Sequence, residues 1–426
     1  MTITIFLGSL LGAMALGVPI AFALLICGVA LMYHLDMFDA QIIAQNVING
    51  ADSFPLMAVP FFLLAGEIMN AGGLSKRIVN IALAMVGHVH GGLGYVAILA
   101  SCLLASLSGS AVADSAALAA LLVPMMTAAG HNKERSCGLI AAGGIIAPII
   151  PPSIGFVIFG VASGLSISKL FLAGIFPGLM MGIGLAIAWW IVARSDDVKP
   201  LPRKSTKEIV ATMIDGAWAM MLPVIIIVGL KFGVFTPTEA AVVAAVYSLI
   251  IAVFVYKELK PKDVYAVFVQ AATTTAVVMF LVAAAMVSAW LITVADLPGE
   301  LIALLEPFMD NPTLLLIVIM LVVVAVGTAM DMTPTILILT PVLMPVVKQA
   351  GIDPVYFGVL FIMNNAIGLI TPPVGTVLNV VAGVGKISIS DLMRGVWPFL
   401  IAQLAVLFSL VMFPVLVTGP AKWFAS

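Results

Sequence analysis

Charge is what this sequence has least of. Asp, Glu, Lys and Arg make up 9% of its 426 residues, against about 25% in ordinary soluble domains. Four stretches, Ser136 to Ser168, Val264 to Ala295, Pro354 to Gly385 and Gly395 to Ala421, hold no charged side chain at all, and each exceeds the roughly 20 residues that carry a helix across a bilayer. With 63% hydrophobic residues, the apolar surface is more than one aqueous core could hide, which excludes a soluble domain and makes this an all-α polytopic membrane protein. Barrel-strand alternation is missing too, while Leu, Ala, Ile and Met dominate, so the spans are helical. There are three cysteines, Cys27, Cys102 and Cys137, without metal spacing; they read as core packing rather than a disulfide framework. A net charge of -2 and no basic amphipathic run argue against nucleic acid and surface binding. No Walker, Gly-x-Ser-x-Gly or His-Glu-x-x-His motif occurs, so neither an ATPase nor a hydrolase engine, nor any cofactor, is implied. The first 33 residues lack a charged n-region and a cleavage site and read as a retained span.

Two polar turns and two proline pairs interrupt the apolar sequence. Ser106-Leu-Ser-Gly-Ser-Ala-Val-Ala-Asp114 precedes Ile149-Ile-Pro-Pro-Ser-Ile154; Val326-Gly-Thr-Ala-Met-Asp-Met-Thr-Pro334 precedes Ile370-Thr-Pro-Pro-Val-Gly375. They belong to a duplication. Gly17-Val-Pro19 lines up with Phe235-Thr-Pro237 and Gly109-Ser-Ala111 with Gly327-Thr-Ala329 at a shift of 218; Pro124 with Pro345, Pro151-Pro152 with Pro372-Pro373 and Pro177 with Pro398 at 221. The copies are residues 1–193 and 208–426, joined by the hydrophilic linker 194–207, whose five Lys and Arg place it in the cytoplasm. Where one copy is basic the other is acidic: Lys76-Arg77 corresponds to Asp296 to Glu300, and the Lys-free turn His34 to Asp39 to Lys257 to Lys262. That pattern predicts an inverted-topology repeat.

Inverted repeats with a broken helix in each half are the plan of secondary transporters, with solute and ions bound near the midplane. Pro152 and Pro373 remove amide donors, so carbonyls of Ala147, Pro148 and Ile150, and of Leu369, Ile370 and Thr371, are expected to be free. The turns add the hydroxyls of Ser106, Ser108 and Ser110 and of Thr328 and Thr333. All-oxygen, nearly neutral surroundings suit sodium better than a transition metal. Asp114 and Asp331 sit in equivalent neighbourhoods, one position apart; an acid inside a span is a functional candidate, and either acid could instead cap a helix start. Glu67 and Glu239 read as structural pairs to a neighbouring helix. Asn364 and Asn365, matched by Gly143 and Gly144 in the first copy, could orient a carboxylate or a sugar hydroxyl through their amides. An intramembrane enzyme would need Asp114 and Asp331 to share one site.

The runs at 106 to 114 and 143 to 154, Phe-Thr-Pro-Thr-Glu-Ala at 235 to 240 and Gly-Leu-Ile-Thr-Pro-Pro-Val-Gly at 368 to 375 resemble the large membrane subunit of tripartite ATP-independent periplasmic (TRAP) transporters over essentially the whole chain. Residues 66 to 77 are also similar to members that carry sugar acids such as 2,3-diketogulonate. The resemblance implies two re-entrant hairpins and two broken helices forming an elevator-type transport domain on a scaffold, driven by a sodium gradient. It implies a bacterial inner-membrane location, a separate small membrane subunit, a periplasmic binding protein and an organic-acid substrate; a related carrier needing no binding protein is the alternative. Carried over by motif, one sodium site involves Ser106, Ser108, Gly109, Ser110, Asp114, Pro148, Ile150 and Pro151, the other Gly327, Thr328, Asp331, Thr333, Ile370, Thr371 and Pro372. Ser153, Asn364, Asn365 and Gly375 are the expected substrate contacts.

Overall fold

The structure is a computed structural model describing residues 2–194, 198, 200–372 and 374–425. Ser195, Asp196, Asp197 and Lys199 of the linker, and Pro373 of the second proline pair, lie outside the described residues. All regular structure among the described residues is helical, and eight helices are long and apolar enough to cross a membrane.

The first half runs α1 (Thr2–Ala15), α2 (Ile20–His34), α3 (Ala40–Ala51), α4 (Ala58–Ala71), α5 (Leu74–Val86), α6 (Gly92–Ser108), α7 (Ala111–Ala128), α8 (Lys133–Gly144), α9 (Ile154–Ser163) and α10 (Ile167–Ala193). The second runs α11 (Thr206–Lys231), α12 (Pro237–Ile250), α13 (Pro261–Val294), α14 (Leu297–Met309), α15 (Pro312–Gly327), α16 (Met332–Gln349), α17 (Pro354–Gly368), α18 (Thr376–Gly385) and α19 (Ile389–Met412), with α20 (Val415–Ala425) appended. Local chemistry sets many of the starts. Ser205 with Glu208 and Thr236 with Glu239 form capping boxes at α11 and α12, each satisfying backbone donors at an open helix end. Glu239 therefore serves its own helix and does not reach a neighbouring one, contrary to expectation, because a Thr three residues ahead offers the nearer partner.

The copies differ at one conspicuous place. Asp52-Ser-Phe-Pro55 separates α3 from α4, and Pro55 sits in a short 3-10 turn, Phe54–Met57. The second copy has no such interruption, and α13 runs unbroken for 34 residues.

Contacts between halves are reciprocal. Helix α7 packs on α18 while α16 packs on α9; α8 packs on α19 while α17 packs on α10; α2 packs on α13 while α12 packs on α4. Pairing of this kind is what a two-fold relation between the copies requires, and it gives the inverted repeat its physical form: two α-hairpins (α6–α7, α15–α16), each beside a broken helix (α8–α9, α17–α18). Small residues permit the closest crossings. A side chain at Gly138 would sit 2.5 Å from the carbonyl oxygen of Gly395, where α8 crosses α19. Between the two broken helices lies an aromatic cluster in which Phe159 faces Phe361 at 5.6 Å and Phe357 at 6.5 Å, all three buried.

Candidate functional site

The two breaks are built alike but not where the prolines alone would put them. Helix α8 stops at Gly144, ahead of Pro148, and α17 stops at Gly368, ahead of Pro372. The residue preceding a proline avoids helical geometry, and the glycines give up helix readily, so each chain leaves its helix in tight turns before the proline pair is reached. The Pro151–Pro152 bond is cis. Beyond the pair, Ser153 restarts α9 by accepting the Phe156 N–H at 3.1 Å, and its own hydroxyl donates to the carbonyl of Pro148 at 2.5 Å. Of the expected free carbonyls, Pro148 is thus occupied, and Leu369 accepts the Val377 N–H at 3.2 Å. Those of Ala147, Ile150, Ile370 and Thr371 receive no hydrogen bond among the described residues.

Each polar turn lies against the break of its own half. At the first, Gly109 ends α6 with φ +62°, and a Cβ there would stand 2.5 Å from the Pro152 oxygen and 3.2 Å from Ser153 Cα and the Ile154 nitrogen. Only glycine fits, both for its left-handed backbone and for the approach. At the second, the Gly375 N–H donates to the Thr328 carbonyl at 3.4 Å, and a Cβ on Gly368 would meet Gly327 backbone at 2.8 Å. The two turn-and-break pairs also adjoin each other: a Cβ at Gly155 would lie 3.0 Å from Met332 Sδ.

The first pair is sealed. Asp114 is 3% exposed, accepts the Ser108 hydroxyl at 2.5 Å through Oδ1, and leaves Oδ2 buried without a partner. Ser108 in turn accepts the Ser110 N–H, Ser110 caps α7 through the Ala113 N–H at 3.4 Å, and Ser106 donates to the Leu103 carbonyl at 2.6 Å. Buried carboxylates are ordinarily satisfied on both oxygens, so Asp114 Oδ2 stands out as an unpartnered oxygen on a helix, α7, that packs on α8. Sequence reasoning missed two neighbours, Ser101 and Ser115, whose buried hydroxyls have no partner and point at the positions a side chain on Gly143 or Gly144 would take; the facing glycines were the available signal.

The second pair is open. Asp331 is exposed at the N-cap position of α16, makes no cap bond, and among the described residues its side chain meets the Thr376 hydroxyl, which donates to it at 3.5 Å. It borders a cleft of about 540 Å³ that also takes in Pro19, Phe22, Phe280 and Pro334. Thr328 donates to Ala325 and Thr371 to Ile367, each at 2.8 Å within its own helix turn; Thr333, Ile370 and Pro372 line the same turn and break, and Ile370 is fully buried. Counting from the helix starts, α7 at Ala111 and α16 at Met332, the counterpart of Asp331 is Ser110 and that of Asp114 is Thr335. The two acids are not equivalent, because the second turn holds four residues between helices where the first holds two. Among the described residues neither side chain caps a helix end, and each takes a different hydroxyl partner, Ser108 for Asp114 and Thr376 for Asp331. Asn364 donates to the Met320 carbonyl at 2.6 Å and Asn365 to that of Met332 at 3.2 Å; both are fully buried, with their carbonyl oxygens unpartnered.

The chain's relatives are consistent with this architecture. The sequence pattern of the family described as tripartite ATP-independent periplasmic transporter, DctM component, matches residues 7–416. The chain is 59% identical, over 99% of its length and 100% of the relative's, to the 2,3-diketo-L-gulonate TRAP transporter large permease protein YiaN of Escherichia coli. It is 39% identical to the sialic acid TRAP transporter large permease protein SiaM of Vibrio cholerae, over 95% of both chains, and 35% identical to the C4-dicarboxylate TRAP transporter large permease protein DctM of Rhodobacter capsulatus, over 96% of both. Among solved structures, the YdaH transporter of Alcanivorax borkumensis shares the fold with a TM-score of 0.65 at 14% identity, over 90% of this chain and 91% of that one. The chain therefore belongs to the DctM family, the multi-pass large membrane components of tripartite ATP-independent periplasmic transporters.

Proposed function

We propose that this chain is the large permease subunit of a sodium-driven importer of a small organic acid, most specifically a sugar acid of the 2,3-diketogulonate type. The observation that carries the reading is Asp114, sealed in the span with one carboxylate oxygen bare, beside a broken helix whose Ala147 and Ile150 carbonyls are also bare. Sodium enters as a co-transported ion, held by these oxygens at the first pair and by the Ile370 and Thr371 carbonyls at the second. The body formed by the hairpins and broken helices slides against the remaining helices as an elevator, a reading supported by the cleft that borders Asp331 and Pro334 of the second hairpin on one side and α2 and α13 on the other. Identity to a 2,3-diketo-L-gulonate permease over the full length supports the substrate class, delivery by a periplasmic binding protein, a small membrane subunit as partner, and the inner membrane as location. The test is reconstitution with the small subunit and binding protein, measuring uptake of labelled 2,3-diketogulonate and of C4-dicarboxylates with and without an inward sodium gradient. Uptake indifferent to the gradient would remove the sodium reading, and uptake undiminished without the binding protein would favour a stand-alone carrier.

A further inference from the structure

Both breaks carry buried oxygens at equivalent places, delivered from opposite helices. Along the shift of 221, Gly143-Gly144 of α8 correspond to Asn364-Asn365 of α17. Counted from the helix starts, Ser115 of α7 corresponds to Ile336 of α16; along the shift of 218 that pairs Gly109 with Gly327, Ser101 of α6 corresponds to Ile319 of α15. In the first half the broken helix has no side chain, and the Ser101 and Ser115 hydroxyls occupy the space where side chains on Gly143 and Gly144 would begin. In the second half the facing helices present buried isoleucines, and the broken helix supplies amides instead.

Among the described residues no protein group uses these oxygens. Ser101 Oγ, Ser115 Oγ, Asn364 Oδ1 and Asn365 Oδ1 are all buried without a partner. Elsewhere in these helices Thr127, Ser163 and Thr371 donate to the carbonyl one turn back at 2.6 to 2.8 Å, a bond that Ser115 forgoes. Leaving a buried polar atom unbonded is costly, and a cost borne at both breaks by different residues points to a ligand common to both.

Asn365 is placed to hold it at the second break. Its amide nitrogen donates to the carbonyl of Met332, the first residue of α16, at 3.2 Å. Its Oδ1 lies 3.5 Å from where a side chain on Gly327, the last residue of α15, would start. One side chain therefore spans the turn that carries Thr328 and Asp331, with its nitrogen turned to Met332 and its acceptor towards Gly327. An acceptor selects a cation over an anion, and a neutral oxygen suits a hard one. At the first break Ser115 follows Asp114, whose Oδ2 is also bare.

We infer that Asn365 Oδ1 and Ser115 Oγ are side-chain donors to the sodium ions bound at the second and first breaks. The inference rests on the sodium reading above, and it moves Asn365 from the solute to the ion.

The purified complex of this chain with its small subunit, titrated with sodium chloride against choline chloride at constant ionic strength, reports ion binding as a rise in unfolding temperature. Uptake of labelled 2,3-diketogulonate into proteoliposomes reports the sodium half-saturation. Ser115→Ala deletes one buried atom, so a hydroxyl without a ligand would leave both readouts unchanged; the expected result is half-saturation raised about fivefold and the sodium-dependent rise at least halved. Asn365→Gly copies the first half's broken helix and is expected to be impaired at least as strongly. Adding Ile336→Ser, which copies the first half's facing helix, should bring half-saturation back to within about threefold of wild type. Ser115→Ala equal to wild type in both readouts overturns the inference, as does an Asn365→Gly/Ile336→Ser protein no better than Asn365→Gly; if Asn365→Gly does not fold, Ser115→Ala decides alone. A wild-type complex whose unfolding and uptake both ignore sodium sinks the sodium reading itself, a result separable because it involves no variant.

Discussion

Replacing Gly109 by alanine tests the contact on which the first site is built. Two penalties add. At φ +62° any L side chain pays the left-handed strain of about 1 to 2 kcal/mol, and the new methyl would lie 2.5 Å from the Pro152 oxygen, an overlap with backbone rather than with a movable side-chain tip. Overpacking of that kind costs roughly 1 to 3 kcal/mol, so Gly109→Ala should lose about 2 to 5 kcal/mol of local stability, taken up by moving the turn off the break. Gly164→Ala is the control: φ is +71° there, yet nothing lies within 4 Å of the added carbon, so it carries the strain term alone. Sodium titrations of uptake in proteoliposomes should show half-saturation raised at least tenfold for Gly109→Ala and nearly unchanged for Gly164→Ala, with both variants inserted and purified normally. Equal sodium dependence in the two variants would refute the claim that the turn and break must touch for the ion to bind.

Other outcomes follow from the same geometry. Asp114→Asn keeps the shape and the Ser108 contact but removes the charge, and should abolish sodium dependence of uptake while leaving thermal unfolding in detergent within about 1 kcal/mol; Asp331→Ala and Ser110→Ala, at the exposed and half-buried turn positions, should shift sodium half-saturation by smaller factors, and no shift in either would count against their assignment. Ser153→Ala removes a cap worth about 1 kcal/mol and frees the Pro148 carbonyl, so it should lower the unfolding temperature and alter sodium affinity together. Arg77→Ala breaks pairs to Asp215 and Glu258 and a stack on Tyr256 at 3.6 Å; with both acids partly exposed, about 1 kcal/mol is expected, read as a small fall in unfolding temperature, and Arg77→Lys should recover only part of it because the forked contact is lost.

Much of this fold is legible in the sequence because membranes leave so few options. Charge-free runs became helices, Gly17-Val-Pro19 became the turn between α1 and α2 with Gly17 at φ +80°, and Pro151, Pro152 and Pro372 fall in real breaks. The bringing together of Gly109 with Pro152 follows from nothing local, yet the duplicated spacing hinted at it. What stayed hidden depended on partners far along the chain. Lys76 and Arg77 read as loop charges, but they begin an amphipathic helix whose Arg77 is clasped by Glu258, 181 positions away. Asn364 read as a substrate contact; its amide meets the backbone of α15, and carbonyls leave no mark in a sequence. The equivalence of Asp331 with Ser110 was obscured because turn length, set by where helices end, shifts the register that identity matching assumes.

The crossed packing of α7 on α18 and of α16 on α9 has a consequence for how the protein is made. When a ribosome has delivered α7 and α9 to the bilayer, the helices they need have not been translated, and their mating faces must wait against lipid or an insertion chaperone until the end of the gene is read. Late, long-range closure of this sort is slow, so truncating the chain after α17 should yield a species that inserts but is cleared by quality-control proteases, and supplying α18 to α20 on a separate polypeptide should rescue it.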